Sequence, residues 1–163
     1  GKKLLSQVAA EDNLWQSTRP RLLGAGFFVQ RIETSTSDGV PDVWVGWQDG
    51  YSWIENKAQR DWPKLPRTPV FGRDGLRKEQ IVWHVAAAQR GVVAFIWCGV
   101  GVGKARQTFL VPCTEAERFN DMTKAELMVG EGPLDKLCVT LRVLGTQKSC
   151  LQNAGGTLPL PRT

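Results

Sequence analysis

Two apolar runs flank Asp49-Gly50: Val43, Trp44, Val45 and Trp47 before it, Tyr51, Trp53 and Ile54 after it. Such runs around Asp-Gly predict a β-hairpin, with strands over 41–48 and 51–58. A two-residue turn at 49–50 pairs 48 with 51, 44 with 55 and 42 with 57. Opposed side chains share a face, and side chains alternate along a strand. Asp42, Glu55 and Lys57 are then expected on one face, with Val43, Val45 and Ile54 on the other. In that register Asp42 and Glu55 are diagonal neighbours, roughly 7–8 Å apart.

The rest of the pattern supplies elements around this hairpin. Ser6 to Trp15 reads as a helix, limited by Pro20, with a further turn at 21–23 before Gly24 and Gly26. Phe27 to Thr34 reads as a strand and 35–39 as a polar turn. Pro63, Pro66, Pro69, Gly72 and Gly75 make 59–75 a long loop, of a length that usually carries function or moves. Leu76 to Arg90 is predicted helical and stopped by Gly91. The unbroken apolar run 92–98 predicts a strand buried on both faces, broken by Gly99, Gly101 and Gly103 and followed by a partner strand over 105–111. Acidic residues after Thr114 mark a helix start, running to about Met122, with a short helix over 124–128. Cys138 to Leu144 is expected as a late edge strand. Residues 145–163, with Gly-Gly and Leu-Pro-Leu-Pro, read as an extended tail, which leaves 1–144 as a single domain. The order predicts an α/β fold: a mixed central sheet flanked by helices.

Composition narrows the class. A chain of 163 residues can bury a substantial core. No apolar stretch approaches the ~20 residues of a membrane span, and the start Gly1-Lys2-Lys3-Leu4-Leu5 lacks the apolar length of a signal peptide. The four cysteines, Cys98, Cys113, Cys138 and Cys150, are widely spaced without a CxxC pair. Metal-finger and disulfide readings are therefore weak, and an intracellular, cytoplasmic setting is expected. The net charge is +5, and its location says more than its size. Between Lys57 and Lys78 stand seven basic residues, Lys57, Arg60, Lys64, Arg67, Arg73, Arg77 and Lys78, against Asp61 and Asp74. That segment follows the carboxylate hairpin directly. A basic stretch beside paired carboxylates points to a polyanionic substrate; a merely solvated loop is the plainer alternative.

Two carboxylates at the expected separation can share one divalent cation, and the neighbouring ammonium can hold a water or an anion. Pro41-Asp42 followed by Glu55-Asn56-Lys57 resembles the motif of the PD-(D/E)xK nuclease superfamily. Gln80 at the start of the helix that carries Trp83 and His84 resembles the VRR-NUC branch and small phage junction-resolving endonucleases of the same fold. The resemblance spans about residues 5–113. It departs from the pattern at Asn56, polar where the family is usually apolar, which must find partners on the core face or sit near a sheet edge.

The resemblance implies a restriction-endonuclease-like core and a DNA endonuclease acting on branched or structured DNA, in the manner of Holliday junction resolvases. It also implies a homodimer, with two sites to cut two strands. Phosphodiester hydrolysis of this kind suits Mg²⁺, for which Mn²⁺ can substitute; the ion takes oxygen ligands and keeps several waters. Asp42 and Glu55 are the expected ligands, with the main-chain carbonyl of Asn56 as a third, and Lys57 acts on the attacking water or the transition-state charge. Gln80 is expected near the metal. Glu11 and Glu33 compete to complete the site, and the family's helix-borne glutamate favours Glu11. Arg60, Lys64, Arg67, Arg73, Arg77 and Lys78 are the candidate DNA contacts, the last two aided by the amides of a helix N-terminus.

Other signals are weaker. His84 sits one turn from Gln80 and is placed near the substrate, although a lone histidine among Val82, Trp83 and Val85 more often packs or caps. Gly-Val-Gly-Val-Gly-Lys at 99–104 lacks the ending and following helix of a P-loop and reads as a hairpin turn. Of the seven tryptophans, Trp44 and Trp53 belong to the carboxylate face and Trp62 to the basic loop, where a ring can stack on an unpaired base. Trp15, Trp47, Trp83 and Trp97 are expected in the core. Two rival functions remain: a catalytically silent nucleic-acid-binding protein, and a phage protein that binds a host protein.

Overall fold

The computed structural model describes residues 2–32, 39–133 and 135–143. Its elements are α1 (Lys2–Gly24), β1 (Phe28–Arg31), β2 (Val43–Trp47), β3 (Gly50–Gln59), α2 (Lys78–Gln89), β4 (Ala94–Val100), β5 (Gln107–Pro112), α3 (Ala116–Phe119) and α4 (Lys124–Met128). A last helix, α5, covers 135–143. The five strands form one sheet in the order β1-β2-β3-β4-β5. β1, β2 and β3 make an antiparallel meander, β3 and β4 are parallel, and β4 and β5 are antiparallel. The mixed sheet expected from the sequence is therefore present, with the parallel crossover made by the long loop and α2.

Each sheet face has its own core. Leu14, Trp15 and Leu22 of α1 and Leu137, Cys138 and Leu141 of α5 pack on Val43, Val45, Ile54, Phe95 and Trp97. On the opposite face Val70, Phe71 and Leu76 join Ala116, Phe119, Met122 and Leu127 over Ile96, Cys98, Val100, Phe109 and Val111. β4 is buried along its whole length, as its unbroken apolar run predicts.

Several local expectations give way to packing. Pro20 lies inside α1 and does not end it. Its missing N–H would have served the carbonyl of exposed Gln16, and continuing the helix buries Leu22 completely. Segment 135–143 is a helix, not an edge strand: Leu137 and Leu141 stand one turn apart and both are buried. Gly99 lies within β4 and does not break it. The helix expected to reach Met122 is the single turn of α3, preceded by a 3₁₀ turn at Cys113–Glu115. The candidate Glu33 and the tail 145–163 lie outside the described residues.

The hairpin register is also corrected. Trp47 pairs with Gly50, Gly46 with Tyr51 and Trp44 with Trp53, so the turn is Gln48-Asp49 and not Asp49-Gly50. Gly50 does not take the left-handed conformation that makes Asp-Gly a strong hairpin turn. What the slip gains is space: a Cβ at Gly46 would stand 2.5 Å from the Trp44 ring, so the glycine opposite Tyr51 is where that ring lies. Each strand shifts by one residue relative to the turn, so the pairing changes by two residues, and every side chain keeps its face.

Gly39 fixes how the meander meets α2. Its φ is +83°, and a Cβ there would stand 2.1 Å from the Glu79 carbonyl oxygen. Only glycine accepts both the backbone conformation and the contact. The chain three residues before Asp42 is thereby seated on the first turn of α2.

Candidate active site

Continuing the observed register by one pair beyond Val43↔Ile54 sets Asp42 opposite Glu55. This is closer than the diagonal relation read from the sequence. The main-chain N–H of Asn56 donates to Asp42 Oδ2 at 3.0 Å, and Ile32 N–H donates to the Asp42 carbonyl at 2.7 Å. Asp42 is thus tied to both neighbouring strands.

Glu55 is 1% exposed and Lys57 7% exposed, both in the middle of the sheet. Lys57 Nζ stands 3.7 Å from Glu55 Oε1 and 3.9 Å from Glu11 Oε1. Gln80 Nε2 also donates to Glu55 Oε1, and Gln80 Oε1 accepts the N–H of Arg77 at 2.9 Å. The glutamine is held from both ends, so its amide cannot turn away from Glu55. Asp42, just before β2, therefore gathers in one place with Glu55 and Lys57 of β3, Gln80 of α2 and Glu11 of α1.

Burial dominates the electrostatics. It raises Glu55 well above the usual carboxylate range, helped by Asp42, and raises Asp42 against the pull of the Asn56 N–H and of Lys57. Glu11 is pushed up to about 7, again chiefly by burial. Three carboxyl groups and one ammonium withdrawn from water leave negative charge without enough compensation. Glu55 Oε2 is buried with no hydrogen-bond partner among the described residues, although its twin Oε1 faces Gln80 and Lys57. A bare carboxylate oxygen beside a second carboxylate is what a hard divalent cation requires, and the donor set is all oxygen. The residues fit such an ion held by two carboxylates and the main chain. Among the described residues no group of three or more His, Cys, Asp and Glu side chains is arranged to hold a metal ion, so the fit rests on the Asp42–Glu55 pair with the main chain.

Asn56, expected to need partners on the core face or a place near a sheet edge, lies on a central strand and is buried. Its side-chain Oδ1 has no partner among the described residues. His84 requires a correction. It is 0% exposed, so it cannot be a direct DNA contact. Its Nδ1–H donates to the Gln80 carbonyl at 2.8 Å, which leaves Nε2 as a buried lone pair, and burial lowers its pKa. The other basic candidates, Arg60, Lys64, Arg67, Arg73, Arg77 and Lys78, are exposed.

Two supporting residues carried no signal in the sequence. Asn120, from the end of α3, accepts the Leu76 N–H at 2.7 Å and donates to the Leu76 carbonyl at 2.8 Å, clamping the entry to α2. Gln7 of α1 donates to the Asp74 carbonyl. Contacts that span 44 and 67 residues of chain have no local pattern to reveal them. Trp62 packs edge-on against Phe109 and lies under Lys124 Nζ at 4.6 Å, so its ring is already engaged. Trp15 and Trp97 are core residues; Trp47 and Trp83 are only half-buried.

No family model and no curated protein matches the chain. Among solved structures, the Holliday junction resolvase Hjc from the archaeal hyperthermophile Archaeoglobus fulgidus is similar, with a TM-score of 0.52 and 19% sequence identity over 77% of this chain and 93% of that chain. At that identity the likeness establishes the architecture: a five-stranded mixed sheet with flanking helices, of the restriction-endonuclease-like α/β type.

Proposed function

We propose that this chain is a divalent-metal-dependent DNA endonuclease of the PD-(D/E)xK type, acting on branched or structured DNA in the manner of a junction resolvase. The observation that carries the reading is the convergence of Asp42, Glu55 and Lys57 on one sheet face, with Gln80 bonded to Glu55, on a fold shared with an archaeal resolvase. Asp42 and Glu55 would hold Mg²⁺, or Mn²⁺ in its place, together with the main-chain carbonyl of Asn56; Glu11 stands alongside, and Glu33 is the alternative helper. Bound there, the ion supplies charge to the scissile phosphate and an acidified water.

The protein's own groups do the rest. Lys57 holds its ammonium beside Glu55, where it orients the attacking water and offsets charge that develops on the phosphoryl oxygens. Gln80 fixes Glu55 in one rotamer. Arg77 and Lys78 at the head of α2 would grip a neighbouring phosphate, where helix amides already favour anions. Arg60, Lys64, Arg67 and Arg73 extend the positive surface along the 60–77 loop. Cutting two strands of a junction needs two sites in fixed relation, which a two-fold homodimer provides. Such an enzyme works in the intracellular compartment.

The test is incubation of the full chain with linear, nicked and four-way-junction DNA, with Mg²⁺ or with EDTA. Preferential cutting of the junction in Mg²⁺ alone supports the proposal. Binding without cutting in either Mg²⁺ or Mn²⁺ would leave a binding protein. Sedimentation of the complex tests the dimer; a monomer bound to DNA would indicate a nicking enzyme.

A further inference from the structure

The face that carries Asp42, Glu55 and Lys57 continues away from them as a strip of aromatic rings. Positions 28 and 30 of β1, 44 and 46 of β2, and 51 and 53 of β3 all belong to that face. Trp44 and Trp53 are direct cross-strand partners. Trp53 meets Trp83 of α2 edge-on at 5.7 Å. On the other side Trp44 lies nearly parallel to Tyr51, 6.3 Å away at 21°, and Phe28 meets Trp44 edge-on at 5.8 Å. The strip is more open away from the site: Trp53 and Trp83 are half-buried, Tyr51 near the hairpin turn is 39% exposed and Phe28 on the edge strand β1 is 60% exposed. Gly46 is the space that lets the Trp44 ring lie flat along the sheet.

Two properties say what such a surface takes. From the Asp42–Glu55 pair to the hairpin turn, this face of β2 and β3 carries no charged residue, only Trp44, Gly46, Tyr51 and Trp53. Yet it begins beside exposed Arg77, which lies within electrostatic reach of Asp42, whereas Lys57 is held between Glu55 and Glu11 and Arg31 by Asp12. Trp44 follows Asp42 by two positions on its strand, about 7 Å, or roughly two base steps from a phosphate held at the carboxylates. A neutral, ring-lined surface that starts beside an exposed arginine matches the way proteins hold single strands, with cations on the backbone and rings under the bases.

We propose that the Phe28–Trp44–Tyr51 platform stacks on unpaired bases next to the phosphate held at the site, so that the protein recognises DNA whose bases are already splayed. This rests on the nuclease reading and adds the feature that selects its substrate.

The experiment measures binding without cleavage, in EDTA. The probes are a twelve-nucleotide oligothymidylate and the same strand with abasic sites, which keeps every phosphate and removes the bases. The wild-type chain should prefer the intact strand by about ten- to hundredfold. Trp44→Leu, and separately Phe28→Ser with Tyr51→Ser on exposed positions, should erase most of that preference while the salt dependence stays unchanged. Equal affinity of the wild type for both strands, no binding to either, or variants that keep the preference would overturn the inference. So would variants that change only the sedimentation of the free protein, since the platform would then be a contact between two copies. Base-dependent binding in a chain that cuts nothing would sink the nuclease reading and leave the platform standing. Cutting without base dependence would do the reverse.

Discussion

The Gln80 side-chain amide donates to Glu55 Oε1 across 25 residues of chain, while Gln80 Oε1 is itself fixed by the Arg77 N–H. One residue thereby couples the start of α2 to the most deeply buried carboxylate of the sheet. Gln80→Ala should leave Glu55 free to rotate, lower the cleavage rate and metal affinity by roughly 10–100-fold, and cost about 1–3 kcal/mol of stability. Cleavage kinetics with a metal titration, beside chemical denaturation, check both. Unchanged metal affinity would show that Glu55 is not a ligand.

Acidity should govern the metal-free protein. Glu11 has its pKa raised from 4.5 to about 7, and Glu55 and Asp42 are raised in the same direction. A raised acid pKa means that the folded state holds the proton more tightly than the unfolded chain. The contribution to stability is complete below the unfolded value and is lost as pH rises through the folded one. Thermal unfolding in EDTA should therefore show a loss on the order of 1–3 kcal/mol between about pH 5 and about pH 8. Mg²⁺ should restore much of it at the upper pH, and Glu55→Gln should be more stable than the wild type there without metal. A flat profile would contradict the burial of uncompensated carboxylates.

Gly39→Ala should be disproportionately damaging for a one-carbon change. The residue has φ +83°, and the new Cβ would fall 2.1 Å from the Glu79 carbonyl oxygen. Strain at φ alone is worth about 1–3 kcal/mol, and the backbone clash adds to it by forcing the β1–β2 connection off α2. Urea unfolding should show a loss above about 2 kcal/mol; a loss within about 0.5 kcal/mol would mean that this contact is dispensable.

Much of this was legible from residue type and alternation. The face shared by Asp42, Glu55 and Lys57 followed from parity, which survives a register slip that shifts each strand by one residue. The slip itself was not legible, because Asp49-Gly50 is the stronger local turn and the deciding contact, Trp44 over Gly46, is tertiary. The length of α1 was hidden by Pro20, whose local cost is outweighed by the burial of Leu22. Cys138 to Leu144 looked like a strand because Val139, Thr140 and Val143 are β-branched, whereas the Leu137–Leu141 spacing decided for helix. His84 was placed near substrate by its spacing from Gln80. That spacing is real, but its bond is to the Gln80 main chain in the interior.

Charge on the 60–77 loop should act on every sequence alike. Replacing Lys64, Arg67 and Arg73 together with Ala should weaken duplex binding and reduce the slope of log affinity against log salt by about 0.9 for each phosphate that is no longer neutralised. These side chains are exposed, so folding is not expected to suffer. An unchanged slope would make the loop a solvated surface only.

The central claim is that Asp42 and Glu55 hold a catalytic cation. The most direct measurement is cleavage of a synthetic four-way junction in Mg²⁺ by the wild type and by Asp42→Asn, side by side with junction binding. The substitution removes a charge and a ligand while keeping the shape and an oxygen able to accept the Asn56 N–H. The account predicts that the wild type cuts, that Asp42→Asn has lost most of its cleavage, and that the variant binds the junction as tightly or more tightly. Cutting at the wild-type rate by Asp42→Asn, or no cutting by the wild type in Mg²⁺ or Mn²⁺, would contradict it.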